Sequence, residues 1–244
     1  MTCWTMANGI VISKNLERCT EGCILDLPLH EILKDVSLLA LGCNQNLEIA
    51  REVGYVVGMI ARSYGYRYVV FGTMDVLDPL DPDPLGKISR SPYISSQVII
   101  NLADGLVNSG VLPILRASGK ISQDLVKTLI SRKAIYPVFV EEPSLAYELE
   151  RLGYKATFVF PDGSIKGRLP VIETLLEVDL SEVENVRRKA LSGAVVLLGR
   201  SSEKIHINKP FEKSGVLIFS DEDWLLELAK QVLQGVRSPT GRLP

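Results

Sequence analysis

The chain has 244 residues, 46% of them hydrophobic and 23% charged, with a formal net charge of −2. That near-neutral balance argues against a nucleic-acid surface, which needs a clustered basic excess to neutralise phosphates. No apolar run reaches the ~18–20 residues of a membrane span, and residues 1–13 lack the charged start and cleavage site of a secretory signal. Neither nucleic acid nor membrane is therefore an expected partner, and the expected location is the cytoplasm.

In chain order, residues 9–13 (GIVIS) and 22–27 (GCILDL) predict two short buried strands, with Asp26 near the end of the second. The clearest helix is 46–64, where Ile49, Val53, Val56, Val57, Ile60 and Tyr64 recur on one face. Residues 66–74 (YRYVVFGTM) have the β-branched and aromatic make-up of a buried strand and deliver Asp75 to its carboxyl end. The loop 77–92 (LDPLDPDPLGKISRSP) follows, and its prolines forbid a regular helix or a central strand. A helix over 95–109 is expected next, with Ser95 as N-cap and Gly110 as its left-handed stop.

Beyond it, 111–117 (VLPILRA), 134–141 (AIYPVFVE) and 156–160 (ATFVF) read as strands, separated by helices over 123–133 and 144–152. Two helical stretches, 169–178 and 181–191, lead to strands at 194–198 (AVVLL) and 216–219 (VLIF). A last helix, 221–236, is headed by acids and faces inward with Trp224, Leu225, Leu228 and Val232. Eight apolar strands alternating with helices over a length near ~250 residues favour an α/β fold of the TIM type, a shortened or irregular (β/α)8 barrel forming one domain over 1–244. The eight residues 14–21 are a tight crossover between the first two strands.

Chemistry in such barrels sits at the carboxyl ends of strands. Those ends carry Asp26, Asp75, Arg116, Glu141, Glu142, Asp162, Arg200 and the acids 221–223. Any one of them also reads as a solvated loop charge or a helix cap, and Asp221 most simply as the cap of the last helix. Residues 200–204 could hold a phosphate, but only Gly199 supplies glycine there and the acids 221–223 would repel an anion. His30 and His206 are the only histidines; neither lies at a strand end, and both read as surface or packing residues.

Cys19 and Cys23 lie four apart, but two histidines and no second paired spacing give a zinc site little support. Buried or free thiols are favoured for Cys3, Cys19, Cys23 and Cys43, with a disulfide left open. No G-x-S-x-G elbow, G-x-G-x-x-G or Walker loop is present, and no cofactor is expected. The tail 237–244 (RSPTGRLP) reads as a loose end or a homodimer contact.

Residues 8–18 (NGIVISKNLER), 39–76 ending in Asp75-Val76, the proline-rich loop with Pro92, and the Gly105-Leu106 and Gly110-Val111 pairs follow one another as in a known family. With 144–162 and 190–198, their order and spacing resemble the catalytic barrel of the family 3 glycoside hydrolases, nearest to the single-domain β-N-acetylglucosaminidase type. The resemblance implies a small carbohydrate ligand and a retaining mechanism through an aspartate nucleophile. Carried over residue by residue, it implies sugar-holding roles for Asp75, Asp26, Arg90 and Arg116. A one-residue slip makes Asp162 the nucleophile. Arg116-Ala117 stands where the family has a lysine-histidine pair that grips sugar hydroxyls, and 118–124 (SGKISQD) holds no histidine for an acid/base.

The reading that follows is a family-3-like barrel that binds a carbohydrate but has lost most of the catalytic machinery. The alternatives are an active retaining β-glycosidase, of β-N-acetylglucosaminidase or β-glucosidase type with Asp162 as nucleophile, and another barrel enzyme acting on a phosphorylated metabolite.

Overall fold

The computed structural model describes residues 10–20, 22–171, 177–199 and 202–244. Its main sheet has seven strands in chain order: β1 Val11–Ser13, β2 Cys23–Leu25, β3 Tyr68–Phe71, β4 Leu112–Ala117, β5 Val138–Val140, β6 Phe158–Val159 and β7 Ile165–Lys166. The first six are parallel, and β7 turns back antiparallel to β6.

Successive strand residues face opposite sides, and here both sides are apolar. Ile24, Tyr68, Val70, Ile114, Phe139, Val159 and Ile165 gather on one face into a small core of their own, with Ile10 and Ile12 against it. Leu25, Val69, Phe71, Leu115, Val138 and Val140 join the larger core under the helices. The sheet curls until its ends meet: a Cβ on Gly163, in the turn after β6, would lie 2.5 Å from the Ile10 carbonyl oxygen ahead of β1. The smaller core is thus the packed interior of a shortened, irregular barrel.

The described residues form eight helices: α1 Leu29–Ile32, α2 Leu38–Cys43, α3 Ile49–Ser63, α4 Pro92–Asn108, α5 Gln123–Ser131, α6 Pro143–Arg151, α7 Val183–Gly193 and α8 Asp223–Leu233. α3 buries Ile49, Val53, Val56 and Val57, the face its periodicity predicts. It meets α4 backbone to backbone, because Gly54 and Gly105 at the crossing carry no side chain.

The strands expected at 194–198 and 216–219 exist, as β8 Val196–Gly199 and β10 Gly215–Ile218, but they do not complete the main sheet. They form a second, three-stranded sheet with β9 Ile205–Ile207, β10 running antiparallel to β8 and parallel to β9. The last barrel strand is instead β7, two residues long, which carries too little periodic pattern to be read. α4 starts at Pro92 with Ser91 as N-cap, its hydroxyl accepting from Ile94 N at 3.4 Å, because proline is pre-shaped for the first helical position. Ser95 lies buried inside that first turn.

α8 starts two residues later than expected and ends three earlier. Of the helix expected over 169–178, residues 172–176 lie outside the described residues and the flanks are irregular. Cys19 and Cys23 are bridged by a disulfide, and Cys43 is a buried thiol, so the thiol reading holds only for Cys43; Cys3 lies outside the described residues. The tail is not loose: Gly241 N donates to Val195 O and Arg242 N to Cys43 O, each at 2.8 Å. Among the described residues no helix is long and apolar enough to cross a membrane.

Candidate functional site

The inward alternation of the barrel strands continues past their apolar layer and there turns polar. Two residues beyond Ile12, Ile24, Ile114 and Phe139 come Lys14, Asp26, Arg116 and Glu141, and all four line one cavity of about 580 Å³ at the carboxyl end of the barrel. β3 brings no charge to this layer: after Val69, Val70 and Phe71, which line the cavity, the chain turns at Gly72 with φ +59°, where a Cβ would lie 3.1 Å from Leu115. These charges are joined in the cavity lining by apolar side chains, among them Val57, Val69, Phe71, Leu102 and Leu106.

Arg116 organises the rim. One guanidinium nitrogen is paired with the Asp26 carboxylate and the other lies 2.8 Å from Glu141 Oε1. Its guanidinium also sits 5.4 Å from the centre of the Phe139 ring. Asp26 is only 5% exposed, whereas the Glu141 side chain is 44% exposed. Arginine thus neutralises the buried acid and leaves the outer one open to solvent and to a ligand. Both acids accept hydrogen bonds, and Arg116 donates them, the complement that neighbouring sugar hydroxyls require.

The proline-rich loop closes one side. Asp83 caps a 3₁₀ turn at Pro84–Gly86, accepting from Gly86 N at 3.2 Å, and Asp81, Asp83 and Lys87 face the cavity. Asp75 anchors this loop: its carboxylate accepts from Val76 N at 2.8 Å and lies 3.3 Å from Lys87 Nζ. It does not line the cavity itself. On the opposite side α1 presents His30 and Glu31.

The structure therefore brings Asp26 and Arg116 together with Glu141, and places Asp75 behind Lys87. Arg90 lies apart from the mouth, its guanidinium 5.9 Å from the Phe211 ring centre. Asp162 sits in the exposed turn between β6 and β7, away from the cavity lining. Its Oδ1 accepts from Ser164 Oγ at 2.6 Å and Ser164 N at 2.9 Å, and these bonds hold its carboxyl below the usual range. Arg200 lies outside the described residues. Glu222 turns away to Arg187, whose guanidinium is 2.7 Å from it.

Sequence reasoning missed Lys14, Lys87, His30 and Glu31 as lining residues. Lys14 was recoverable, since it stands two past Ile12 in a strand of known phase. The others sit on a loop and a one-turn helix whose paths no periodicity reveals. Among the described residues no cluster of three His, Cys, Asp or Glu side chains is arranged to hold a metal ion.

No family sequence model and no curated protein sequence matches the chain. Solved structures do. The β-glucosidase DesR of Streptomyces venezuelae, determined with D-glucose, is 12% identical with a TM-score of 0.52, over 68% of this chain and 34% of that one. β-Glucosidase 3B of Thermotoga neapolitana, determined with glucose, is 14% identical with a TM-score of 0.51, over 71% of this chain and 38% of that one. A family 3 glycosyl hydrolase from Mycobacterium smegmatis is 16% identical with a TM-score of 0.46, over 89% and 82%. This chain thus spans about a third of the two glucosidases. Its fold is that of the family 3 glycoside hydrolase barrel, in a shortened and diverged form.

Proposed function

We propose that the barrel mouth binds a small carbohydrate and that most of the machinery for hydrolysis has been lost. The observation that carries this reading is the rim: Asp26, Arg116 and Glu141, joined side to side, line a cavity of about 580 Å³ that also has apolar walls. That volume suits a small ligand, and two proteins of similar fold were determined with glucose. In this reading Glu141, Lys14 and Lys87 contact the sugar, Arg116 positions Glu141, and Asp75 positions Lys87.

The loss of hydrolysis is supported by the position of Asp162. A retaining pair needs two carboxyl groups ~5 Å apart about the scissile bond, and Asp162 spends its hydrogen bonds on its own turn outside the cavity.

The test is calorimetric titration with glucose and N-acetylglucosamine, beside turnover of the nitrophenyl β-glycosides of both. Binding that Glu141→Gln weakens by about tenfold, the worth of one lost charged hydrogen bond, with no turnover, is the expected result. Absence of any sugar binding overturns the reading. Turnover abolished by Asp162→Asn establishes instead an active retaining glycosidase with that nucleophile.

A further inference from the structure

A second cavity, of about 780 Å³, lies on the small sheet, walled by β9 and the loop that returns to β10. Lys204, Lys209 and Lys213 converge on it. Among the described residues none of the three is in an ion pair. Glu212 is the acid on the same wall. Three lysines left unpaired around one concavity raise its potential for anions, because like charges held together are costly unless a counter-charge visits.

The groove adjoins the barrel mouth. Pro84 forms part of its wall, while Asp83, Leu85 and Gly86 of the same 3₁₀ turn line the mouth cavity. One turn of chain therefore separates the two. Phe211 is 40% exposed beside the lysines and offers a flat apolar surface of the kind on which the apolar face of a sugar ring rests.

We propose that this groove is an anion subsite for the carbohydrate site: the ligand is an acidic oligosaccharide, one sugar in the barrel mouth and a carboxylate-bearing sugar over Phe211, its charge held by Lys204, Lys209 and Lys213. This rests on the carbohydrate reading of the mouth and adds the substrate class to it.

The experiment titrates the full chain with a neutral gluco-oligosaccharide, its uronate-bearing counterpart and inorganic phosphate, at low and at raised salt. The same titrations are run on the Lys204→Gln/Lys209→Gln/Lys213→Gln variant, with its thermal unfolding checked against the parent. The expected result is binding of the acidic oligosaccharide about tenfold tighter than the neutral one, a preference that the variant and added salt both erase while neutral binding stays. Equal affinity for the two oligosaccharides overturns the acid subsite and leaves the mouth reading standing. A preference that survives in the variant overturns the assignment to these lysines. Lysine-dependent binding of the acidic ligand without any neutral binding upholds the subsite and removes the neutral-sugar mouth. Phosphate binding as tightly as the acidic oligosaccharide shows a free-anion site and overturns the proposal, as does binding of neither oligosaccharide.

Discussion

Arg116 on β4 pairs with Asp26, the residue just past β2, reaching over β3, the strand that lies between those two in the sheet. Between them in the chain's inward series stands Gly72, where φ is +59° and a Cβ would meet Leu115 and Ile99. Asp26 is nearly inaccessible to water, so its charge depends on this one arginine. Removing one partner of such a pair costs more than the pair contributes, because the other is left buried and uncompensated. Arg116→Met should therefore destabilise the protein by about 1–3 kcal/mol. Asp26→Asn added to it should recover part of that loss. Urea unfolding of the two single variants and the double variant measures the coupling; additive losses would show that the pair does not act as a unit.

The mouth and the β6–β7 turn should respond differently. Asp162→Asn is expected to leave sugar affinity within about twofold, since that carboxylate bonds only within its own turn. Arg116→Met should weaken the sugar together with the fold, because it frees Glu141 as well as Asp26. Affinity measured on the folded fraction, well below each variant's melting point, separates the two effects.

A second ion cluster joins the small sheet to the barrel. Arg187 on α7, only 5% exposed, pairs with Glu222 at 2.7 Å and Asp35 at 3.2 Å and donates to the Lys34 carbonyl at 2.8 Å. Its hydrogen bond, followed by that from the Trp224 indole, pulls the Glu222 carboxyl from an ordinary 4.5 down to about 2. An acid whose folded pKa is depressed contributes stability that is complete above its unfolded pKa and is lost as the pH falls toward the folded one. The stability of the parent should thus decline between about pH 4.5 and 2. Arg187→Met should remove much of that slope, and denaturant midpoints across the range read it directly.

The α3–α4 crossing is governed by space. A Cβ at Gly54 would lie 2.1 Å from the Leu102 carbonyl oxygen, and one at Gly105 2.1 Å from that of Arg51. Alanine is the better helix former by ~1 kcal/mol, yet Gly54→Ala and Gly105→Ala should each destabilise by about 1–3 kcal/mol through overpacking. Thermal unfolding in which either variant is more stable than the parent would mean that the two helices separate freely.

The Cys19–Cys23 bridge closes the short β1–β2 connection, where Cys19 N also donates to Tyr64 O at 2.7 Å. Closing so short a loop constrains the unfolded chain by about 2 kcal/mol on the chain-entropy account. Reductant should lower the melting temperature of the parent and leave that of a Cys19→Ser/Cys23→Ser variant unchanged.

Along the chain, what the residues determine alone is local. The apolar runs mark β1 to β6, β8 and β10, and the face of α3 is set by its periodicity. The order of strands and helices suffices for an irregular barrel, because each strand needs burial on both faces and each helix on one. Asp26 and Arg116 were legible as strand-end charges for the same reason. Pairing is another matter. Hydrophobicity says that β8 and β10 are buried but not against what, and only the folded chain shows them leaving the barrel to pair with β9 while β7 completes its wall. The same holds for the rim: Asp26, Arg116 and Glu141 are 90 and 25 residues apart along the chain, and the curl of the sheet joins them. Loops decide what remains, since their paths follow from the contacts they make rather than from any repeat in their residues. It is the tertiary course of the proline-rich loop that sets Lys87 at the cavity and Pro84 against the lysine groove.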